Sequence, residues 1–182
     1  MTLGVKETMS DTETQAIERV TAEGFLVLYN TKEGTDYRVD KVAGPGESPD
    51  VRCVNSAGDE LWLEVTITED NPRDAQALLG RSNHKSLDAL RDLLNKVRTG
   101  AAKMLINRLD GNVTNILIQR LRRKFEKRYG PNVALVVRET SVAWDWDLVL
   151  PTVQEAFRGM YMPFDRGVWL LSRTKDRLTR VF

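Results

Sequence analysis

Residues 50–69 constrain this chain more than any other stretch. DVRCVN (50–55) and ELWLEVTITE (60–69) are two runs of strand formers joined by the turn SAGD (56–59). In the second run Leu61, Leu63, Val65 and Ile67 fall on one side, and Trp62, Glu64, Thr66 and Thr68 on the other. Period-two alternation on both sides of a glycine-containing turn specifies an antiparallel hairpin. A hairpin with an apolar face must bury it, so the chain needs a sheet covered by other elements. Pairing residue 55 with residue 60 brings Asp50 close to position 65, within a residue of Glu64. The turn register decides whether the two carboxylates share a face, because a slip of one residue reverses every side chain.

The flanking segments read as a mixed α/β domain. Residues 1–10 read as a flexible N-terminus. Ser10 or Asp11 can cap a helix starting at Thr12, with Ala16, Ile17 and Val20 on one face and Gly24 as its stop. FLVLYN (25–30) and YRVDKVA (37–43) then read as strands, and GPGESP (44–49) as a loop. After a polar loop (70–81), Leu87, Leu90, Leu94, Val97, Ala101 and Leu105 space a long amphipathic helix that ends at Gly111. A second helix starts at Asn112 or Thr114, turns Leu117, Leu121 and Phe125 inward, and stops at Gly130-Pro131. NVALVVRE (132–139) has the composition of a buried strand. Trp144 and Trp146 alternate with Asp145 and Asp147 as in a half-buried strand. A short helical piece near 152–158 and a strand VWLLS (168–172) follow, and RTKDRLTRVF forms a basic arm or a loose terminus. The expected architecture is one domain over residues 1–182: an α/β core at about 12–140, its central mixed sheet flanked by helices, and a small α/β extension at 141–182.

Composition removes several classes of function. One cysteine among 182 residues excludes a disulfide framework and a thiolate-rich zinc site. The short apolar runs leave no segment to span a membrane, and the start of the chain lacks the apolar stretch of a leader, so a cytoplasmic protein is expected. No GxxxxGK[ST], GxGxxG or GxSxG motif is present. The single histidine, His84, reads as a solvated residue at a helix start. The net charge of +1 conceals a division: residues 1–70 carry 6 basic and 15 acidic side chains, residues 71–182 carry 21 basic and 11 acidic. Such a division suits either carboxylates for a metal beside cations for a polyanion, or simple mutual neutralisation.

Carboxylate chemistry is what remains. Asp50, Glu64 and the Val65 carbonyl can hold a hard divalent cation, because Mg²⁺ takes oxygen donors and keeps several waters. The plainer alternative puts Glu64 and Thr66 on the solvent face of an edge hairpin.

A helix containing Glu18, a strand, SPDV (48–51), a hairpin turn and LWLEVT (61–66), followed by a leucine-rich helix and NVALVV, resembles the PD-(D/E)xK nuclease superfamily, the restriction-endonuclease-like fold. The resemblance covers about residues 12–140. It matches Pro49-Asp50 and Glu64-Val65-Thr66 to the family motif, with 13 residues between the carboxylates, and Glu18 to the frequent first-helix acid. It implies that Asp50 and Glu64 are catalytic and bind Mg²⁺ or Mn²⁺, with Glu18 assisting. The motif lysine is Thr66 here, and threonine supplies no cation. Lys124 or Arg120, from IQRLRRKFEKR, is the expected replacement.

Six of the ten residues from Gln119 to Arg128 are basic, so Arg120, Arg123, Lys124 and Lys127 are expected to line a nucleic-acid surface, with DNA favoured. Trp144, Trp146 and Trp169 can stack bases or fill the core. The function expected is a Mg²⁺-dependent nuclease acting on nucleic acid phosphodiesters, with a catalytically degenerate binding module of the same fold as its rival. A third reading makes the chain an assembly domain whose Leu87–Leu105 stripe forms a homodimer seam.

Overall fold

A computed structural model describes residues 11–44, 46–67, 103–139, 146–172 and 177–182. They fall into two compact units. The first holds helix α1 (Asp11–Glu33) and strands β1 (Arg38–Val42), β2 (Val51–Val54), β3 (Glu60–Ile67), β4 (Val133–Glu139), β5 (Val168–Ser172) and β6 (Arg177–Arg180). The second holds helices α2 (Lys103–Phe125) and α3 (Trp146–Ala156).

The strands form one six-stranded mixed sheet in the order β1-β2-β3-β4-β5-β6. β1, β2 and β3 run as an antiparallel meander, β3, β4 and β5 are mutually parallel, and β6 returns antiparallel to β5. The β2–β3 hairpin is the one expected. Its turn is tied by Asn55, whose Oδ1 accepts the amides of Ala57 and Asp59, and Gly58 takes a φ of 87°. β4 is buried along its whole length. Asp165 holds its entry, accepting the amides of Asn132 and Val133 at 2.8 Å each.

Helix α1 corrects the reading of residues 25–30 as a strand and of Gly24 as a stop. Ala22, Phe25, Leu26 and Tyr29 are all buried while Val27 is 68% exposed, which is helical and not alternating spacing. The strand preference of FLVLY is overridden because this stripe fits one sheet face. Val51, Cys53, Leu61, Leu63, Val65, Ala134, Val136, Trp169 and Leu171 form that face with it. The Phe25 and Tyr29 rings meet the Trp169 indole edge-on at 6.2 and 5.5 Å between centroids. The glycine that ends the helix is Gly34, with a φ of 67°. Asn30 then clamps the exit, its side chain bonding both the amide and the carbonyl of Tyr37.

Three further expectations change. The basic tail is no loose arm: Arg177–Arg180 pairs with β5 as an edge strand. Gly167 (φ 89°), just before β5, lies against the far end of this strand, where a Cβ would stand 3.0 Å from the Phe182 carbonyl oxygen. Trp146 and Asp147 start helix α3 and belong to no strand. Gly111 lies inside α2, so the break expected there does not exist, and the helix ends at Phe125, before Lys127. In the second unit Leu117, Leu121, Val149, Val153 and Phe157 are buried, and the Phe125 and Phe157 rings lie 4.8 Å apart. His84, Leu87–Ala101 and Trp144 lie outside the described residues. Among the described residues no helix is long and apolar enough to cross a membrane.

At the other edge of the sheet, the β1–β2 register shifts between Val39 and Lys41. Arg38, Asp40 and Lys41 are exposed along this strand.

Candidate functional site

The hairpin register places the two carboxylates. Val54 pairs with Glu60 and Val51 with Leu63, so the next step of the ladder sets Asp50 opposite Glu64. The turn is one residue longer than pairing 55 with 60 would give. Val51, Cys53, Leu61, Leu63 and Val65 lie under α1. Alternation therefore sends Arg52, Trp62, Glu64 and Thr66 to the opposite face.

Asp50 stands immediately before β2 begins. Its carbonyl accepts the Ala43 amide at 2.7 Å, and its carboxylate Oδ2 accepts the Val65 amide at 2.6 Å. In an extended strand the N–H and C=O of one residue point to the same side. The Trp62 amide bonds Asn132, on the β4 side. Val65, three residues on, therefore directs both its amide and its carbonyl to the β2 side, past Val51, the first paired residue of β2, where Asp50 lies.

Glu64 is 1% exposed, which overturns its placement on a solvent face, and Thr66 is buried as well at 9%. A carboxylate buried this deeply needs compensation. Ser48 Oγ donates to Glu64 Oε2 at 2.8 Å, and Lys127 Nζ lies 3.8 Å from Oε1. The Lys127 side chain is 53% exposed, so solvent screens much of this attraction. The Tyr129 hydroxyl is buried without a hydrogen bond of sound geometry. Burial first, then the charges of Glu64 and Asp50, hold this phenol well above its ordinary pKa, with Ser48 opposing. Both carboxylates thus act on one buried phenol.

Glu18 belongs to the same neighbourhood. A cleft of about 170 Å³ is lined by Gln15, Glu18, Gly44, Glu47 and Asp50 among others. Gln15 Nε2 donates to the Ala43 carbonyl at 3.1 Å, tying the start of α1 to the loop that carries Pro49-Asp50.

Of the residues singled out by sequence, Asp50, Glu64, Val65, Glu18 and Lys127 lie in the first unit. Arg120, Arg123 and Lys124 lie on α2 in the second. Thr66 follows Glu64 on its face, in register with Val137, where the resemblance calls for a lysine. Ser48 and Tyr129 were not foreseen. Ser48 directly precedes Pro49-Asp50, which could have marked it. Tyr129 follows the end of α2 in no periodic pattern.

The donor set fits a hard cation. The Asp50 and Glu64 carboxylates and the Val65 carbonyl are oxygen donors of the kind Mg²⁺ takes, and three of them would leave several coordination positions for water. Among the described residues no group of three or more Asp, Glu, His or Cys side chains is gathered closely enough to bind a metal by itself. Compared with protein-family models, curated proteins and solved structures, the chain has no significant match.

Proposed function

We propose that this protein is a metal-dependent nuclease with a restriction-endonuclease-like core, cleaving nucleic acid phosphodiesters at Asp50 and Glu64. The observation that carries the reading is the buried Glu64 carboxylate directly across the hairpin from Asp50, whose own carboxylate is fastened to Val65. A helix, an antiparallel three-stranded meander, an intervening helix and a parallel fourth strand follow in the order that the resemblance implies.

In this reading Asp50, Glu64 and the Val65 carbonyl hold the ion, and Glu18 acts through water. A bound Mg²⁺ or Mn²⁺ supplies charge neutralisation at the phosphate and lowers the pKa of a bound water. The chain's own residues do the rest. The Val65 amide orients the Asp50 carboxylate, Ser48 orients that of Glu64, and Lys127 offers the cation that Thr66 cannot, stabilising charge that develops on the phosphoryl oxygens. The basic residues of α2 are the proposed contact for the nucleic acid backbone.

The test is nicking of supercoiled plasmid with Mg²⁺ or Mn²⁺, wild type beside Asp50→Ala and Glu64→Ala. Loss in both variants supports the reading, and equal nicking by all three proteins removes it. A second reading, a degenerate core that binds nucleic acid or a protein without cutting, draws on Thr66 and on the Glu64 carboxylate already having Ser48 and Lys127 as partners. It predicts salt-dependent DNA binding unaffected by metal.

A further inference from the structure

A second cleft, of about 340 Å³, shares Ser48 and Pro49 with the loop that carries Asp50; Lys41, Ala43, Glu47, Arg52 and Trp62 line the remainder. Trp146 and Trp169 are buried at 6% and 2% exposure, so neither offers a free ring face. Trp62 differs: it is only partly buried and belongs to the cleft.

Its setting is unusually fixed for a surface tryptophan. Arg52 and Trp62 are direct cross-strand partners. Because the Trp62 amide points to β4, theirs is a non-hydrogen-bonded pair, in which side chains approach most closely. The Arg52 guanidinium is gripped by Asp40 on one side and Glu60 on the other. Glu60 also accepts the Trp62 indole N–H at 3.2 Å. Asp40, Arg52, Glu60 and Trp62 thus form one bonded frame holding two flat groups side by side. Arg52 and Trp62 hold the Glu60 carboxyl below its usual range, so the frame stays charged under ordinary conditions. Prior ordering of this kind removes much of the entropic cost of stacking a planar ligand.

Trp62 and Glu64 are also one pleat repeat apart on the same face of β3, a separation of about 7 Å. We infer that Trp62, held by Glu60 and seated beside Arg52, is a stacking platform for an unpaired nucleobase adjacent to the scissile phosphate, and that the substrate is single-stranded or locally unpaired nucleic acid. This inference deepens the nuclease reading and rests on it for the position of the phosphate. Bases within a duplex have their faces covered by their neighbours, whereas a single strand offers them to an aromatic ring. The carboxylate of Glu47 at the cleft rim accepts the Gly44 amide at 3.0 Å. Of the cations lining the cleft, Arg52 is already paired with Asp40 and Glu60, and the charge of Glu47 opposes that of Lys41, so the lining has no excess positive charge and suits a neutral base better than a phosphate.

The test is fluorescence anisotropy of a short fluorescein-labelled oligothymidylate in EDTA, where cutting cannot contribute. Full-length wild type, Trp62→Phe and Trp62→Ala are compared, with circular dichroism confirming the fold of each. The expected result is tighter binding of the single strand than of a duplex of equal length, an affinity loss of about tenfold in Trp62→Ala, and a smaller loss in Trp62→Phe, which keeps a ring. Equal affinities for wild type and Trp62→Ala, preference for duplex, or no binding by wild type would overturn the inference. If Trp62→Ala fails to fold, Trp62→Phe decides by the same strand preference. Metal-dependent nicking that survives an unaltered Trp62→Ala affinity would leave the nuclease reading intact while removing the platform; Trp62-dependent binding without nicking would do the reverse.

Discussion

Asp50 and Val65 are fifteen positions apart and joined by a 2.6 Å hydrogen bond, the carboxylate accepting from the amide where β2 stops covering β3. The same carboxylate therefore has a structural task, satisfying a strand amide, and a proposed chemical one, and the two can be separated.

Asp50→Asn keeps an acceptor for the Val65 amide and loses the charge. Asp50→Ala loses both and leaves a largely buried amide unpaired, a cost of about 1–3 kcal/mol. Urea denaturation should therefore show Asp50→Asn close to wild type and Asp50→Ala clearly weaker, while metal-dependent nicking is lost in both. Wild-type nicking by a folded Asp50→Asn protein would contradict the assignment of Asp50 to the metal.

Lys127 Nζ lies 3.8 Å from Glu64 Oε1 in the same unit. Lys127→Met should lower the nicking rate by about a hundredfold, as loss of a single group stabilising transition-state charge does, with little change in thermal stability because its ion pair is half exposed. Lys124→Met should instead reduce binding at moderate salt. A large rate loss in Lys124→Met with none in Lys127→Met would return the role to α2, where sequence alone had placed it.

Gly24 sits within α1, and an added Cβ would meet only Leu171 Cδ2, at an ordinary 3.8 Å. Gly24→Ala should raise stability by about 0.5–1 kcal/mol through the lower backbone entropy of the unfolded chain. Thermal or urea unfolding of this one variant is sufficient, and a lower midpoint would show that the helix needs a glycine there.

Alkali should weaken the fold. Burial, with a smaller contribution from Asp40, pushes the Cys53 thiol from 9.0 up to about 12. Tyr29 is also raised by burial and then by Glu33, and Tyr129 by burial and then by Glu64. Each group holds its proton longer in the folded state than in the unfolded one. Stability is therefore fully present below about pH 9 and declines as pH rises toward 12, by about 1.4 kcal/mol per pH unit for each group in its window. The urea midpoint should fall between about pH 8 and pH 10.5, and fall less in Cys53→Ala, which lacks the titrating thiol. A midpoint constant over that range would mean that these groups titrate alike in both states.

The parts of the fold legible in the sequence were those governed by local pattern. The β2–β3 hairpin carries alternation on both sides of a marked turn, and β4 and β5 are unbroken apolar runs. Residues 25–30 misled because Phe, Leu, Val and Tyr favour strands, while their burial follows a helical stripe that becomes visible only when Ala22 is read together with Phe25, Leu26 and Tyr29. Arg177–Arg180 has no apolar run, so its pairing depends on β5 and is not written in its own pattern. The carboxylate pair was legible to within one residue. Its face depended on turn register, and the partners of Glu64 come from loops, where spacing carries no periodic information.

The register break in β1, together with the outward charges of Arg38, Asp40 and Lys41, bears on how the protein behaves when crowded. A bulged, charged margin makes a poor template for a strand from a neighbouring molecule. Concentrated solutions should consequently resist ordered fibril growth from this side, and straightening the bulge by deleting Asp40 would be the change most apt to invite it.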